Sequence, residues 1–554
     1  MLSKRVLRPR RPVAALLAGA LAALVAAGCT KVGTSTPGES ARHPSTIPHV
    51  LRFASAEDLV GLNPLVNSQA TLGELSSMTM AWLVKTDAQG YPTVPELCTE
   101  VPTQQNGGIS PDGKTITWHL RRGVRWSDGA PFTADDVVFS TKLILDPHTN
   151  IISRDGWDLI TKIGEPDKYT VVYHLSKPYA PYAVTFFSTG GANPAVMPKH
   201  LLEGKDINTA AYNALPVGIG PFKYESWKRG DSVTLVPNPL YFRGTPKLKR
   251  VVYELVQDRN TVLEELRSHE LDLWTPVSPH YFPQVKTIPG IATLTTPSYF
   301  FDHLDFNVSH PVLADQVVRR ALRMALDRPV IIKKIQFGIY DLNESVVPLV
   351  SHFHVNIPQV PFDIAQANAM LDRDGWRRGP DGIRQKNGVR LVLDFATASG
   401  TADTDQEIEL YRSWWKQLGV SLVVKHYLSS LFFAPAEAGG IIFGGKFDVV
   451  AFAWGGDPVQ GLANLYSCGR FPPDGQNDLR YCNRAVSAAI DHAQVHYDAA
   501  SRSADLALVQ RQIFADAPTI VLDNRRELYG YNSDLRNFHP NPVAPFDDMM
   551  NVDI

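Results

Sequence analysis

The first residues of this chain are not built to join a globular fold. From Val13 to Ala27 runs VAALLAGALAALVAA, fifteen residues without a polar side chain. It succeeds the basic head MLSKRVLRPRRP, with Lys4, Arg5, Arg8, Arg10 and Arg11 and no acid. A helix needs about 20 apolar residues to cross a bilayer comfortably. This run is shorter, and a basic head, an apolar stretch and a small-residue tail make a secretory signal, with an uncleaved N-terminal anchor as the alternative. The expectation is export and removal of residues 1–28. That removes five bases and no acid, so the formal charge moves from −2 to −7. A mildly acidic surface argues against nucleic acid or anionic lipid as the main partner. The remaining chain is long enough for two or three domains and a large core.

The run ends Ala26-Ala27-Gly28-Cys29, which resembles a bacterial lipobox, with Ala26 where leucine is usual. The resemblance implies cleavage before Cys29 and acylation of its thiol. Each buried lipid CH₂ contributes about 0.8 kcal/mol, so more than one acyl chain anchors firmly. The alternative is that Cys29 is only the last small residue of the signal. The next stretch, TKVGTSTPGESARHPSTIP, has too few large apolar residues to bury a core, so 29–49 reads as a flexible tether and the fold begins near Val50. Cys468 and Cys482 flank the turn-rich SCGRFPPDGQNDLRYC. Export permits a disulfide there, favoured over free thiols, and closing a loop of ~15 residues is worth about 3 kcal/mol. Their spacing does not suit zinc. Cys98 is left over as a small buried hydrophobe.

Gly440-Ile441-Ile442-Phe443-Gly444-Gly445-Lys446 matches most of a nucleotide-binding P-loop. The next residue argues against it: a P-loop needs Ser or Thr to ligate magnesium, and Phe447 stands there. The loop should also open a helix. The segment after Lys446 is instead FDVVAFAW, β-branched and aromatic, which reads as a strand.

Strand signals alternate with amphipathic helices along the chain. Val50-Leu51-Arg52-Phe53 and Thr115 to Leu120 are short strands, and SWWKQLGVSLVVKHY ends a helix at Gly419 and begins a strand. VVRRALRMALDRPVIIKKI, from Val317, places Val318, Leu322, Ala325 and Leu326 on one helical face and Arg319, Arg320 and Arg323 on the other. ALVQRQIFADAP is a helix stopped at Pro518. The mixture predicts an α/β protein with more than one sheet. In SPDGKTITWHLRRGVRWSDGAPFTADDVVFS, from Ser110 to Ser140, Asp112-Gly113 and Asp128-Gly129 are turns, and Thr133 caps a helix with acids in its first turn.

That segment resembles the signature of the family 5 extracellular solute-binding proteins, the peptide- and nickel-binding components of ABC importers. Leu62-Asn63-Pro64, PVGIGPFKYESWKRGDSVTLVPNPLYFRGTP from Pro216 (with Ile219 where threonine is usual), FNVSHPVLADQVVRRALRMALDR and FDIAQANAMLDRDGW extend the resemblance over most of the chain after the tether. It implies a two-lobed periplasmic-binding-protein type II fold with an additional smaller domain and a hinge-closing cleft. The implied division is 50–88, 216–310 and 519–554 for a discontinuous lobe I, 89–215 for the extra domain, and 311–518 for lobe III. Crossings between the lobes are expected near Phe301 to Pro311 and just after Pro518. The DG-turn segment reads as scaffold, without ligand contacts.

The resemblance also gives FDVVAFAWGGD a role. In the family's peptide binders a strand ending Trp-x-x-Asp lines the cleft, and its acid receives the peptide's α-ammonium. Here Trp454-Gly455-Gly456-Asp457, with Pro458 next, carries that pattern shortly before Cys468. A buried ammonium requires a paired carboxylate. Gly455 and Gly456 would let a ligand approach the backbone, a strand edge that includes Ala453 would pair with peptide of any sequence, and Trp454 would supply an apolar wall. The alternative is an ordinary Gly-Gly-Asp-Pro turn whose acid bonds its own backbone. Ala56-Glu57-Asp58-Leu59 sits where peptide binders touch the ligand main chain, so Asp58 and Leu59 are candidate contacts, with a solvated acidic loop as the alternative. The function implied is capture of short peptides by a monomer anchored through lipid outside the cytoplasm, and delivery to a permease with a separate ATPase. A nickel chelate, an oligosaccharide or another solute is the alternative cargo. No cofactor, no metal site and no nucleic-acid partner are expected. His352 and His354 are the nearest approach to a metal pair and read as loop residues. Neither G-x-S-x-G nor H-E-x-x-H occurs, which argues against a hydrolase.

Overall fold

The computed structural model describes residues 42–67, 69–151, 153–189, 194–399, 402–457 and 461–554. The signal, Cys29, most of the tether and Pro458 lie outside them. Ordered strand begins at Val50, as expected, and Ser45–Ile554 forms one unit. No helix among the described residues is long and apolar enough to cross a membrane.

A ten-stranded mixed sheet runs through that unit. Its strands are β1 (Val50–Ser55), β2 (Phe222–Lys228), β3 (Ser232–Pro237), β4 (Arg250–Leu255), β5 (Leu273–Trp274), β6 (Ile291–Phe306), β7 (Val392–Ala398), β8 (Ser421–Tyr427), β9 (Val449–Gly455) and β10 (Thr519–Asn532). The order across the sheet is β8-β7-β9-β6-β10-β5-β1-β4-β3-β2. Two long strands, β6 and β10, join the halves. Their ladder is regular up to Pro297↔Arg526 and resumes at Phe301↔Asn524. On one side of that break β10 pairs with β5 at Gly530 and Tyr531. On the other, β6 pairs with β9 from Phe300 onward. The crossover therefore lies at 297–301 and 524–526, at the edge of the first expected crossing and just past Pro518, and each strand continues through both halves.

Strand polarity gives the crossover its importance. β1, β4 and β5 are mutually parallel and antiparallel to β10. β7, β8 and β9 are mutually parallel, and β9 is antiparallel to β6. By these registers, the C-terminal ends of all six point at the break in the β6–β10 ladder. Open α/β sheets hold ligands beyond the carboxyl ends of their strands.

Separate cores support this frame. Leu51, Phe53, Phe222, Leu235 and Phe546 pack one half, and Leu304, Leu322, Phe395 and Trp415 the other. A third core, around Trp118, Trp126, Trp157 and Phe186, belongs to a small antiparallel sheet in the order 115–119, 170–175, 160–167. Helix α1 (Ala134–Leu145) packs on it, and the predicted capping holds: the Asp136 carboxylate accepts the Thr133 N–H at 3.0 Å. The helices packed on the large sheet include α2 (Gln316–Met324), α3 (Ala402–Gln417), α4 (Arg484–Val495) and α5 (Ala499–Asp516).

Arg319 and Arg323 of α2 do not face water: they are 6% and 8% exposed. Arg319 donates from Nη2 to the Asp516 carbonyl (2.6 Å) and from Nη1 to the Leu313 carbonyl (2.6 Å). Arg323 Nη1 reaches the Phe514 carbonyl (2.6 Å), and Arg320 Nε the Ala515 carbonyl (2.8 Å). The last carbonyls of a helix have no partner within it and carry the negative end of its dipole. The arginine face of α2 fills that need for α5.

Candidate functional site

β9 leaves the core as it advances. Val449 and Val450 are buried, residues 451–454 are half-buried and Gly455 is exposed. β6 accompanies it along its whole length. β7 pairs only with Val449 and Val450. From Ala451 to Gly455 the side of β9 that faces away from β6 has no strand partner among the described residues. The open edge and the end of β9 thus both lie at the crossover.

The residues at that end have specific neighbours. Trp454 stands edge-on to Phe452 (5.0 Å) and parallel to the buried His303 ring (6.2 Å, 2°), so part of its surface is already used within the protein. Gly455 and Gly456 are required for internal packing. A Cβ on Gly455 would come within 3.0 Å of the Phe300 ring, and one on Gly456 within 2.9 Å of Pro348 Cγ. The missing side chains therefore make room for the Phe300 ring and for Pro348. The Gly456 N–H donates to the Tyr299 carbonyl at 2.9 Å, which ends the ladder.

Asp457 is half-buried. Its Oδ2 accepts the Gly461 N–H at 2.7 Å, the local turn bond named as the alternative. Its charge also acts on the Arg502 guanidinium of α5. Arg502 is 9% exposed, donates from Nε to the Ala493 carbonyl (3.2 Å) and lies 4.9 Å from the centre of the Phe353 ring. Burial lowers its pKa and Asp457 opposes that. Sequence reasoning missed this cation; it lies 45 positions downstream on another element, and no local pattern marks it.

The second predicted segment emerges from β1 at the same crossover. Glu57 Oε2 accepts the Thr71 N–H (2.8 Å), and the Glu57 carbonyl accepts the Tyr253 hydroxyl (2.6 Å). Asp58 is exposed, with its carbonyl held by Gln69 Nε2 at 2.6 Å. Leu59 as a whole is 5% exposed and packs within the core of that half. Elsewhere in the unit, Cys468 and Cys482 form the expected disulfide. Cys98 is free and buried; burial pushes its thiol up to about 12, and its Sγ donates to the Leu83 carbonyl at 2.9 Å. His354 Nδ1 lies 3.0 Å from the Val347 carbonyl, and the His352 ring packs on Tyr91 (4.5 Å). No cluster of three metal-ligating side chains occurs among the described residues.

Known proteins resemble this arrangement. The family model for bacterial extracellular solute-binding proteins, family 5 middle, matches residues 93–473. Protein XP55 of Streptomyces lividans is 30% identical over 424 residues, 76% of this chain and 75% of that one. The oligopeptide-binding protein AppA of Bacillus subtilis, solved with a nonapeptide, superposes with a TM-score of 0.78 at 20% identity, over 91% of this chain and 98% of that one. NikZ from Campylobacter jejuni, solved with Ni(L-His), gives 0.77 at 22% identity, over 90% and 98%.

Proposed function

The chain belongs to the bacterial extracellular solute-binding proteins of family 5, and from that premise we propose that it captures short peptides in the cleft at the crossover and hands them to an ABC permease. The observation that carries the reading is the unpaired edge of β9 from Ala451 to Gly455 with Asp457 just beyond its end. Main-chain pairing along such an edge is indifferent to guest sequence. The Asp457 carboxylate would receive the guest's α-ammonium, sharing its charge with Arg502. Trp454 walls the site, the backbone at Gly455 and Gly456 continues the edge, and Ala453 keeps it uncrowded. Asp58 would meet the guest from the β1 side, with Leu59 packed beneath it. The nonapeptide held by AppA supports peptide as cargo; the nickel complex held by NikZ supports a metal chelate as the alternative.

The rest of the proposal rests on the family. Cys29 is the lipid attachment point of the 29–49 tether, whose last residues from Ser45 already belong to the folded unit; the protein works as a monomer on the outer face of a membrane, and its permease draws on a separate ATPase. The proposed domain division is 50–88 with 216–310 and 519–554, 89–215, and 311–518, with the ends of β6 and β10 packing into the core of the last.

Calorimetry with di- to pentapeptides, each with a free or an acetylated amino terminus, tests the reading. Free peptides are expected to bind at least tenfold more tightly, and Asp457→Ala to abolish that preference. Mass spectrometry of co-purified small molecules completes the test: a metal complex or sugar in place of peptides overturns it.

A further inference from the structure

The open edge of β9 has an aromatic face, and a second segment extends it. Phe452 and Trp454 are alternate residues of β9 and lie on one side of the sheet. The chain that leaves β8 at Tyr427 arrives on that same side. It reads YLSSLFFAPA, from Tyr427 to Ala436, without a charged residue. Ser429–Phe432 makes one helical turn. Phe432 of that turn is fully buried, in one core with Ala396 of β7 and Val450 of β9. Ala396 and Val450 form the last rung between those two strands. The turn therefore packs where β7 and β9 part. The next residue, Phe433, stands edge-on to Phe452, with ring centres 6.2 Å apart.

Three large apolar side chains of this segment are left in water. Leu428, Leu431 and Phe433 are 72%, 40% and 48% exposed. The backbone that carries them is held in place. The Phe433 N–H donates to the Ser429 carbonyl at 3.1 Å. The Leu431 and Phe432 carbonyls accept the Ile441 and Ile442 N–H groups, each at 3.3 Å. At the other end the Tyr427 carbonyl accepts the Ser399 N–H at 2.8 Å. The segment is thus pinned at both ends and presents a fixed apolar shelf beside an unpaired backbone edge. Clustered exposed apolar side chains of this kind mark ligand grooves.

We propose that Phe433 and Phe452 form a subsite for one large apolar side chain of the guest, so that peptides with an aromatic or long aliphatic residue at one interior position are the preferred substrate class. The inference rests on the peptide reading above and deepens it. The edge itself decides what covers the shelf. A strand paired along Ala451 to Gly455 puts one of its residues directly across from Phe452. That side chain leaves on the same face, with the two Cβ atoms about 5 Å apart. Nothing has to be crossed on the way, because β7 pairs with β9 only at Val449 and Val450. The next ring it meets is Phe433. Phe452 precedes Asp457 by five positions, so a guest with its amino end at Asp457 presents about its fourth residue here. A phenylalanine or leucine there buries apolar surface of its own and of both rings. An alanine leaves Phe433 in water. A carboxylate loses its hydration against a segment that carries no charge to pair it.

The test scans a single phenylalanine, and in parallel a single glutamate, through an alanine pentapeptide. Calorimetry is expected to show phenylalanine binding at least tenfold more tightly than alanine at one position beyond the second, with glutamate no better than alanine there. The phenylalanine peptide should also give the more negative heat-capacity change. Phe433→Ala should bring the phenylalanine-to-alanine affinity ratio at that position toward one; an unchanged ratio overturns the subsite. Equal affinity at every position of the unaltered protein also overturns it and leaves the peptide reading standing, and this comparison needs no variant to fold. Equal affinity joined to self-association in sedimentation velocity, removed by Phe433→Ala, would give the shelf to a second copy of the chain instead. Binding of none of the peptides overturns both readings.

Discussion

Glu407 holds a proton that an exposed carboxyl would have lost by neutral pH. Its pKa is pushed from an ordinary 4.5 to about 8, first by burial and then by Asp302. The folded protein therefore keeps this proton in a window where the unfolded chain does not. Stability falls as pH rises through that window, from about 4.5 to about 8. Glu407→Gln should thus be nearly neutral at pH 5 and stabilising by about 1–3 kcal/mol at pH 8, read as the difference in urea unfolding at the two pH values. An equal effect at both would mean that Glu407 is ordinarily ionised in the fold. At this scale the sequence is half legible. Asp457 and Trp454 stand out only through the Trp-x-x-Asp pattern that the family resemblance supplies; the turn chemistry alone reads as an ordinary Gly-Gly-Asp-Pro turn. Glu407, Asp523 and Arg502 do not, because each acquires its meaning from partners on other elements: Gln336 bridges two of them from a third segment, and Arg502 meets Asp457 only once α5 has docked.

Helix α2 shows what periodicity can and cannot reveal about an element. The apolar stripe of Val318 and Leu322 is buried as its spacing requires. The arginine stripe looks like a solvated face, yet it is the C-terminal cap of α5, a helix whose last turn lies almost two hundred residues away. Arg319 reaches carbonyls of four residues, Leu313, Ala314, Asp516 and Ala517. A lysine has the charge but not the planar fork needed to reach them together. Arg319→Lys should therefore lower unfolding free energy by about 2–3 kcal/mol, from buried carbonyls left without donors. Arg320→Ala, which loses a single bond at a half-buried position, should cost under about 1 kcal/mol. Chemical denaturation of the two variants checks the order; equal losses would mean that charge alone matters. The disulfide loop is the opposite case, an element legible from cysteine spacing and compartment. Its reduction should cost about 3 kcal/mol, seen as a lower denaturation midpoint in reductant.

Across the whole molecule, opening and closing of the cleft must involve the small sheet as well as the two halves of the large one. Tyr497, between α4 and α5, accepts the Tyr179 N–H at 3.2 Å and donates to the Gly113 carbonyl at 3.0 Å. Beside it the Ala180 N–H donates to the Gln494 carbonyl at 2.7 Å, and across the cleft rim the His352 N–H donates to the Tyr91 hydroxyl at 2.7 Å. Gly113 has a positive φ, and a Cβ there would come within 2.7 Å of the Tyr497 ring. The Asp112-Gly113 turn, read from sequence as scaffold, therefore also forms the surface on which the far half of the sheet rests. Single hydrogen bonds and ring contacts share this seam, so a small change in their energy shifts any balance between open and closed forms. Tyr497→Phe keeps the ring and removes two hydrogen bonds, about 1 kcal/mol each. Such a loss, about 2 kcal/mol in all, weakens any guest that requires closure by about thirtyfold. The expected result is a larger radius of gyration in X-ray scattering of the ligand-free variant, a weaker peptide affinity and an unchanged thermal midpoint of the separate cores. If both radius and affinity stay at the values of the unaltered protein, the small sheet is a passive platform and closure depends on the β6–β10 crossover alone.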